Sequence, residues 1–520
     1  MKYVLAFSFA FYAACHPLPA QLTFFKTYGG SSIDGAWSVQ QTSDSGYVVT
    51  AETQSFGSGV YNIKTDITGN VSWSRVYNNG YGNNVKEIPG GGYITVGRYN
   101  NSFCLLRSGA SGNLLWEKQY AGGVDMEGYS IVSAAGGGYV MAGYTDVIGA
   151  GGTDIYVVRT DSSGNTIWTK TYGGSGSEGL AGWGNISIHK IQAGGYVIGG
   201  YTNSFGSGDY DVYMVRIDTA GNVVWSKTFG GAGIDRGYGN SINTTFHNTI
   251  ILTGFTNSFG AGSNDVYFME VDLNGNLLFS KTYGGAGDDV GSSVQETLDG
   301  GYIIGGYTNS FGAGDYDIYL LKISNAGNLL WSKTFGGTGS DRCYDLKQSL
   351  DSGYILTGYE NSYGAGADDI FLLKTNASGN ETCHENNAAT VTGTPSTLVT
   401  SPSTLVSGGG SYTLVNATTS SGCTVTTLCT TAGLMEVNEE NEPVKVFPDP
   451  FTTSATFHAE KPFKNASLLL YDITGCEIRR MEHLSGQDIL LQRENLPAGL
   501  YFFRIISGKE IIGSGKLMAG

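Results

Sequence analysis

Charge is scarce in this chain. Asp, Glu, Lys and Arg make up 14% of its 520 residues, and 29 basic residues face 45 acidic ones. A net charge of −16 argues against a nucleic-acid partner held through phosphate contacts. Proline (10) and histidine (6) are rare, and neither H-E-x-x-H nor G-x-S-x-G occurs. "GSGKL" near the end lacks the spacing and the Ser/Thr of a phosphate loop. The seven cysteines include no C-x-x-C, which weakens any zinc reading. Helical periodicity is missing, and no apolar run approaches the ~18 residues of a membrane span.

Glycine is abundant instead, 80 residues, with 33 Tyr and 23 Phe. Such a composition predicts many short strands joined by tight turns. The opening "MKYVLAFSFAFYAACHPLPAQ" has a basic start, an apolar run and a small-residue site at Ala20. It predicts a secretory signal peptide over residues 1–20, cut before Gln21; Cys15 in "YAAC" leaves a lipoprotein site as the alternative. Export permits disulfides, most plausibly between two of Cys383, Cys423 and Cys429.

A repeat dominates the chain. A basic residue recurs at Lys26, Arg75, Lys118, Lys170, Lys227, Lys281 and Lys333, and Tyr or Phe follows two positions later each time. Each unit holds four strand-like runs, as in "SSVQET", "GYIIGGYT", "DIYLLKI" and "LLWSKTF". Four strands in about 50 residues predict a β-propeller blade. A Gly-Asn hairpin precedes an aromatic at Trp73, Trp116, Trp168, Trp225, Phe279 and Trp331, but Gly379-Asn380 is followed by Cys383. The last unit therefore lacks its fourth strand. "LTFFKTY", residues 22–28, is a fourth strand with no unit before it, and is expected to complete the last blade and close the ring. The expectation is an all-β fold with a seven-bladed propeller over residues 21–382.

The hairpin "DTAGNVVW" and its copies resemble the outer hairpin of quinoprotein propellers. That family is usually eight-bladed and carries a quinone with calcium. With seven units and no adjacent cysteine pair, only the shape carries over. The units look more like secreted bacterial β-propeller repeats found with a C-terminal sorting domain.

Residues 383–434 are Thr/Ser-rich and largely uncharged, and predict a linker or a small disulfide-tied β module. Residues 435–520 read as a small antiparallel sandwich. They resemble the type A sorting domain of the type IX secretion system through Pro448, Asp449, Pro450, Tyr471, Asp472, Gly475, Gly499, Tyr501 and Lys516. Asp449 stands where that family usually has Asn, and Cys476 where Arg is common. The resemblance implies the type IX machinery as a partner, and a protein secreted or attached to the outer-membrane surface.

Two loop series carry acids. One holds Asp34, Asp125, Glu178, Asp235, Asp289 and Asp341; the other holds Asp154, Asp211, Asp265, Asp317 and Asp369. They either form an acidic rim for calcium or a cationic ligand, or bond backbone amides and fix the turns. Calcium is the one cofactor the residues would allow. Trp37 and Trp183 fall outside the outer-strand pattern and suit either sugar stacking or simple core contact. The expectation is a binding or adhesion module for glycan or protein ligands. A polysaccharide-active hydrolase or lyase and a purely architectural protein stand as alternatives, since fold alone excludes neither.

Overall fold

The computed structural model describes residues 21–520 apart from 78–79, 121–124, 180–185, 382–383, 401–404, 408–411, 416–418, 421–423, 432–443, 449, 472–476, 495, 498, 508–509 and 520. The expected signal peptide lies outside the described residues, as do Cys383 and Cys423 of the expected disulfide. Among the described residues every regular element is a strand.

β1 (Thr23–Gly29) is followed by a four-stranded antiparallel meander of β2 (Asp34–Gln41), β3 (Tyr47–Thr53), β4 (Gly59–Thr65) and β5 (Val71–Tyr77). The same meander recurs with first strands Gly80–Glu87, Met126–Ser133, Ser187–Lys190, Asp235–Thr244 and Asp289–Glu296. The last repeat supplies only Arg342–Gln348, Tyr354–Glu360 and Asp369–Thr375, and β1 is its fourth strand, with Phe24 opposite Lys374. The fold is all-β and propeller-like. Neighbouring sheets bury their faces against each other: Phe24 and Tyr28 of β1 share a core with Val49, Ile63, Ile355 and Leu372.

The Gly-Asn hairpins explain the repeat's most regular letters. Gly112 has φ +76°, and a Cβ there would lie 2.8 Å from the Trp73 ring of the preceding unit. Trp331 meets Gly379 in the same way, and Phe24 meets Gly69. The outer-strand tyrosine donates to the same glycine's carbonyl: Tyr77 Oη to Gly112 O at 2.6 Å, Tyr120 to Gly164 at 2.8 Å, Tyr28 to Gly69 at 2.6 Å. The basic residue reaches the hairpin asparagine, Lys26 Nζ to Asn70 Oδ1 at 2.8 Å and Lys333 to Asn380 at 2.6 Å. Aromatic, lysine, tyrosine and Gly-Asn thus form one inter-unit joint.

The Thr/Ser-rich segment adds an outermost strand to each sheet. Glu385–Asn387 pairs with Leu329–Phe335, and Val391–Gly393 with Leu277–Gly284. Leu398–Thr400, Leu405–Ser407, Tyr412–Val415 and Thr419–Ser420 continue onto the fourth strands of successively earlier units. Thr424–Thr431 finally pairs with β1. The aromatic-bearing fourth strands are therefore interior strands, not the edges that the repeat alone suggests.

At the C-terminus Val444–Phe447, Ser454–Tyr471, Glu477–Gln492, Gly499–Ser507 and Glu510–Ala519 form one antiparallel sheet. Its core includes Phe451, Phe457, Leu470, Ile489, Phe503 and Leu517.

Candidate functional site

The recurring acids accept hydrogen bonds from their turns. Asp34, Glu178, Asp235, Asp289 and Asp341 are fully buried. Each accepts the amide of the glycine four residues earlier, as Gly231 N to Asp235 Oδ2 at 2.7 Å and Gly285 N to Asp289 Oδ2 at 2.7 Å. Asp235 and Asp289 also accept a hydroxyl from the next long loop, Ser258 and Ser310, both at 2.7 Å. The second series does similar work: Asp211 Oδ2 accepts from Ser207 N at 2.8 Å and Gly208 N at 3.2 Å. Among the described residues no group of three or more His, Cys, Asp or Glu side chains converges as a metal ligand set. Asp125 differs, pairing with Arg98 Nη1 at 2.8 Å. Trp183 lies outside the described residues.

Trp37 leads to the site. In β2 the register with β3 slips between Ala36 and Ser38, leaving Trp37 as the extra residue of a β-bulge. The same slip leaves Asn83, Tyr129, Ser292 and Tyr344 extra in other first strands, and a wider one spans Tyr238. A bulge re-aims the side chain it frees. Five of these residues, Trp37, Asn83, Tyr129, Tyr238 and Tyr344, line one cavity of about 600 Å³. The Trp37 and Tyr344 rings lie 4.6 Å apart, and Tyr238 adjoins Tyr344 at 6.4 Å.

Charge enters the cavity from three units, through Glu52, Arg98 and Glu127. Glu52 and Arg98 line it from second strands. At the equivalent position other units carry Tyr144, Tyr201, Phe255, Tyr307 and Tyr359. Glu127, on the first strand beside Tyr129, is nearly buried and accepts Asn83 Nδ2 at 2.7 Å, while Arg98 Nη1 lies 3.5 Å away. Burial pushes the Glu127 carboxyl up, against the pull of Asn83 and Arg98. Glu52 has neither a hydrogen bond nor an ion pair among the described residues. Burial, then the charges of Glu127, Asp34 and Asp368, push it up to about 7. The Trp37 indole N–H is also buried without a partner. Asn100, Asn101 and Asn240 complete the polar lining.

The arrangement can set a flat or ring-shaped ligand against Trp37, whose ring is backed by the largely buried Tyr344, read hydroxyls with amides, and hold or pass a proton at Glu52. The sequence flags Trp37 and Asp125 but not Glu52, Arg98, Glu127, Tyr238 or Tyr344. The available signal is a one-residue break in first-strand alternation, together with "AET" and "GRY" where other second strands read "GYT", "GFT" or "GYE". A second cavity, of about 400 Å³, lies where residues 391–396 pass Phe259. Its one carboxylate, Asp265, already accepts the Ala261 and Gly262 amides.

Of the sorting residues, Tyr501 is buried and donates to Pro497 O at 2.7 Å, and Leu517 beside Lys516 is in the core. Pro448 and Pro450 are exposed. Asp449, Asp472 and Gly475 lie outside the described residues.

Comparison with known proteins gives one family: residues 445–518 match the secretion system C-terminal sorting domain. No curated protein matches the chain. Among solved structures, the extracellular domain of a hybrid two-component system from B. thetaiotaomicron is similar at 10% identity and a TM-score of 0.28, over 93% of this chain and 67% of that one. No membrane-spanning helix occurs among the described residues. The C-terminal part of this propeller-like chain thus belongs to the type IX secretion sorting domains, and the protein is secreted or held at the outer-membrane surface.

Proposed function

We propose that the protein is an exported seven-bladed propeller, closed by β1, that binds a glycan in the cavity lined by its first-strand bulges. The C-terminal sheet would fold back into the small sandwich of the sorting domain. The observation that carries the reading is the convergence of Trp37, Tyr344 and Tyr238 with Asn83 and Asn240 in one cavity. Aromatic faces suit the C–H faces of sugars, and amides suit their hydroxyls. A glycan array probed with residues 21–434 tests it. Binding is expected to weaken at least ~10-fold in Trp37→Ala, since a stacking aromatic is a typical binding hot spot. Equal binding by the variant would remove the cavity from the reading.

A second reading has its own observation. Glu52 and Glu127 are two carboxylates in unlike environments, as a glycosidase requires of its acid and its base or nucleophile. Release of reducing ends from a polysaccharide, lost in Glu52→Gln, would support a hydrolase. Neither binding nor cleavage would leave an architectural surface protein.

A further inference from the structure

The charge of this cavity is unbalanced. Arg98 is the cation lining it, and its guanidinium is engaged by Asp125 at 2.8 Å, Glu127 at 3.5 Å and Asn101 Oδ1 at 2.7 Å. Glu127 already accepts Asn83. Glu52 is left without a counter-charge, on a cavity wall that also carries the rings of Trp37, Tyr81, Tyr129, Tyr238 and Tyr344. A carboxylate beside several π-faces is the arrangement that receives an ammonium group, which gains from both.

We propose that the cavity takes an amino sugar, with the protonated amine seated against Glu52 and the sugar ring against Trp37. The inference rests on the saccharide reading above and narrows it to glycans with free amines. A neutral or acetylated sugar would leave Glu52 buried and unpaired. An anionic sugar would meet Glu52 and Glu127 with the one nearby cation already paired. The charged groups that act on Glu52 are Glu127, Asp34 and Asp368, all acidic, and the cavity's cation, Arg98, is already held by Asp125 and Glu127. An incoming cation therefore favours release of the Glu52 proton.

The test is calorimetry on residues 21–520 with glucosamine oligomers, their N-acetylated counterparts, neutral gluco-oligosaccharides and spermidine. Glucosamine oligomers are expected to bind at least ~10-fold tighter than the acetylated ones. In Glu52→Gln that ratio is expected to fall close to one. An N-trimethylated glucosamine oligomer keeps its charge at every pH. Its affinity for the unaltered protein should drop about 10-fold from pH 8 to pH 6, as a carboxyl titrating near 7 takes up its proton. This measurement does not depend on the variant folding. Equal binding of acetylated or neutral oligomers would overturn the amine and keep the glycan. Spermidine binding as tightly as the amino sugar would overturn the sugar. Silence of every saccharide would overturn both readings together.

Discussion

Gly230 shows how tightly single residues are constrained here. A Cβ at this position would lie 2.0 Å from Asp211 Oδ1 and 2.7 Å from Asp235 Oδ2. The glycine ends an outer strand between two buried carboxylates, one from each loop series. The arrangement recurs at Gly173 between Asp154 and Glu178, and at Gly284 between Asp265 and Asp289. Gly230→Ala is expected to cost about 1–3 kcal/mol, because neither carboxylate can retreat without losing its amide bonds; urea denaturation measures it. The same pairs set the pH response. Burial first, then the charge of the Asp341 neighbour, push Asp317 up to about 6 against the Gly314 and Ala313 amides. Glu360 is pushed up to about 7, mainly by burial. Acids with raised values bind more protons when folded, so their contribution to stability is full below the ordinary carboxylate range and is lost as pH climbs from there through about 6 to 7. Asp66, Asp161, Asp218 and Asp272 in the outer hairpins are held low by hydrogen bonds from the turn, and their contribution is lost on acidification through and below the ordinary carboxylate range. The melting temperature is therefore expected to peak at about pH 4 to 5 and to fall towards pH 7. Asp317→Asn should reduce that fall. A melt that is flat from pH 5 to pH 8 would contradict this account.

At the scale of elements, β1 is buried along its whole length. Phe24, Phe25 and Tyr28 are at most 1% exposed, and the strand is paired on both sides, by Asp369–Thr375 and by Thr424–Thr431. A chain lacking residues 22–28 loses three buried aromatics, each worth about 3–5 kcal/mol on truncation, which rivals the whole stability of an ordinary domain. Such a chain is expected to lose cooperative unfolding in calorimetry. This strand was legible from an absence: the Gly379-Asn380 hairpin has no aromatic after it, and Phe24 is an aromatic without a hairpin before it. The added strands of residues 385–431 were not legible. They are two to eight residues long, carry almost no charge, and alternate only weakly, so periodicity cannot separate them from a spacer. Nor was most of the cavity. A bulge moves one side chain to the other face, and Tyr238 or Tyr344 reads as one more strand tyrosine until the register is known. The acids that recur in nearly every unit accept amides from their own turns. Two of the cavity's three charged residues, Glu52 and Arg98, stand where other units carry an aromatic, so the repeat breaks its own rule there.

For the whole molecule, the question is whether address and cargo are separable. The core of the sorting domain is drawn from residues 444–519 alone, and the buried clusters of the propeller-like part include no residue beyond 431. Removing the C-terminal domain takes no side chain out of the other cores, and mutations that share no partners act independently. A chain ending at residue 434 keeps every strand from β1 to Thr424–Thr431, including the one that covers β1. It is expected to melt within a few degrees of the full-length protein and to keep its ligand. What it loses is the sequence the secretion machinery reads. In cells the truncated chain should accumulate inside the outer membrane, out of reach of added protease, while the full chain is degraded at the surface or found in the medium. Surface exposure of the truncated chain would mean that the export signal lies elsewhere. A large fall in its melting temperature would mean that the two parts share more than the Arg504–Leu298 hydrogen bond and the Phe246–Tyr471 ring contact that join them.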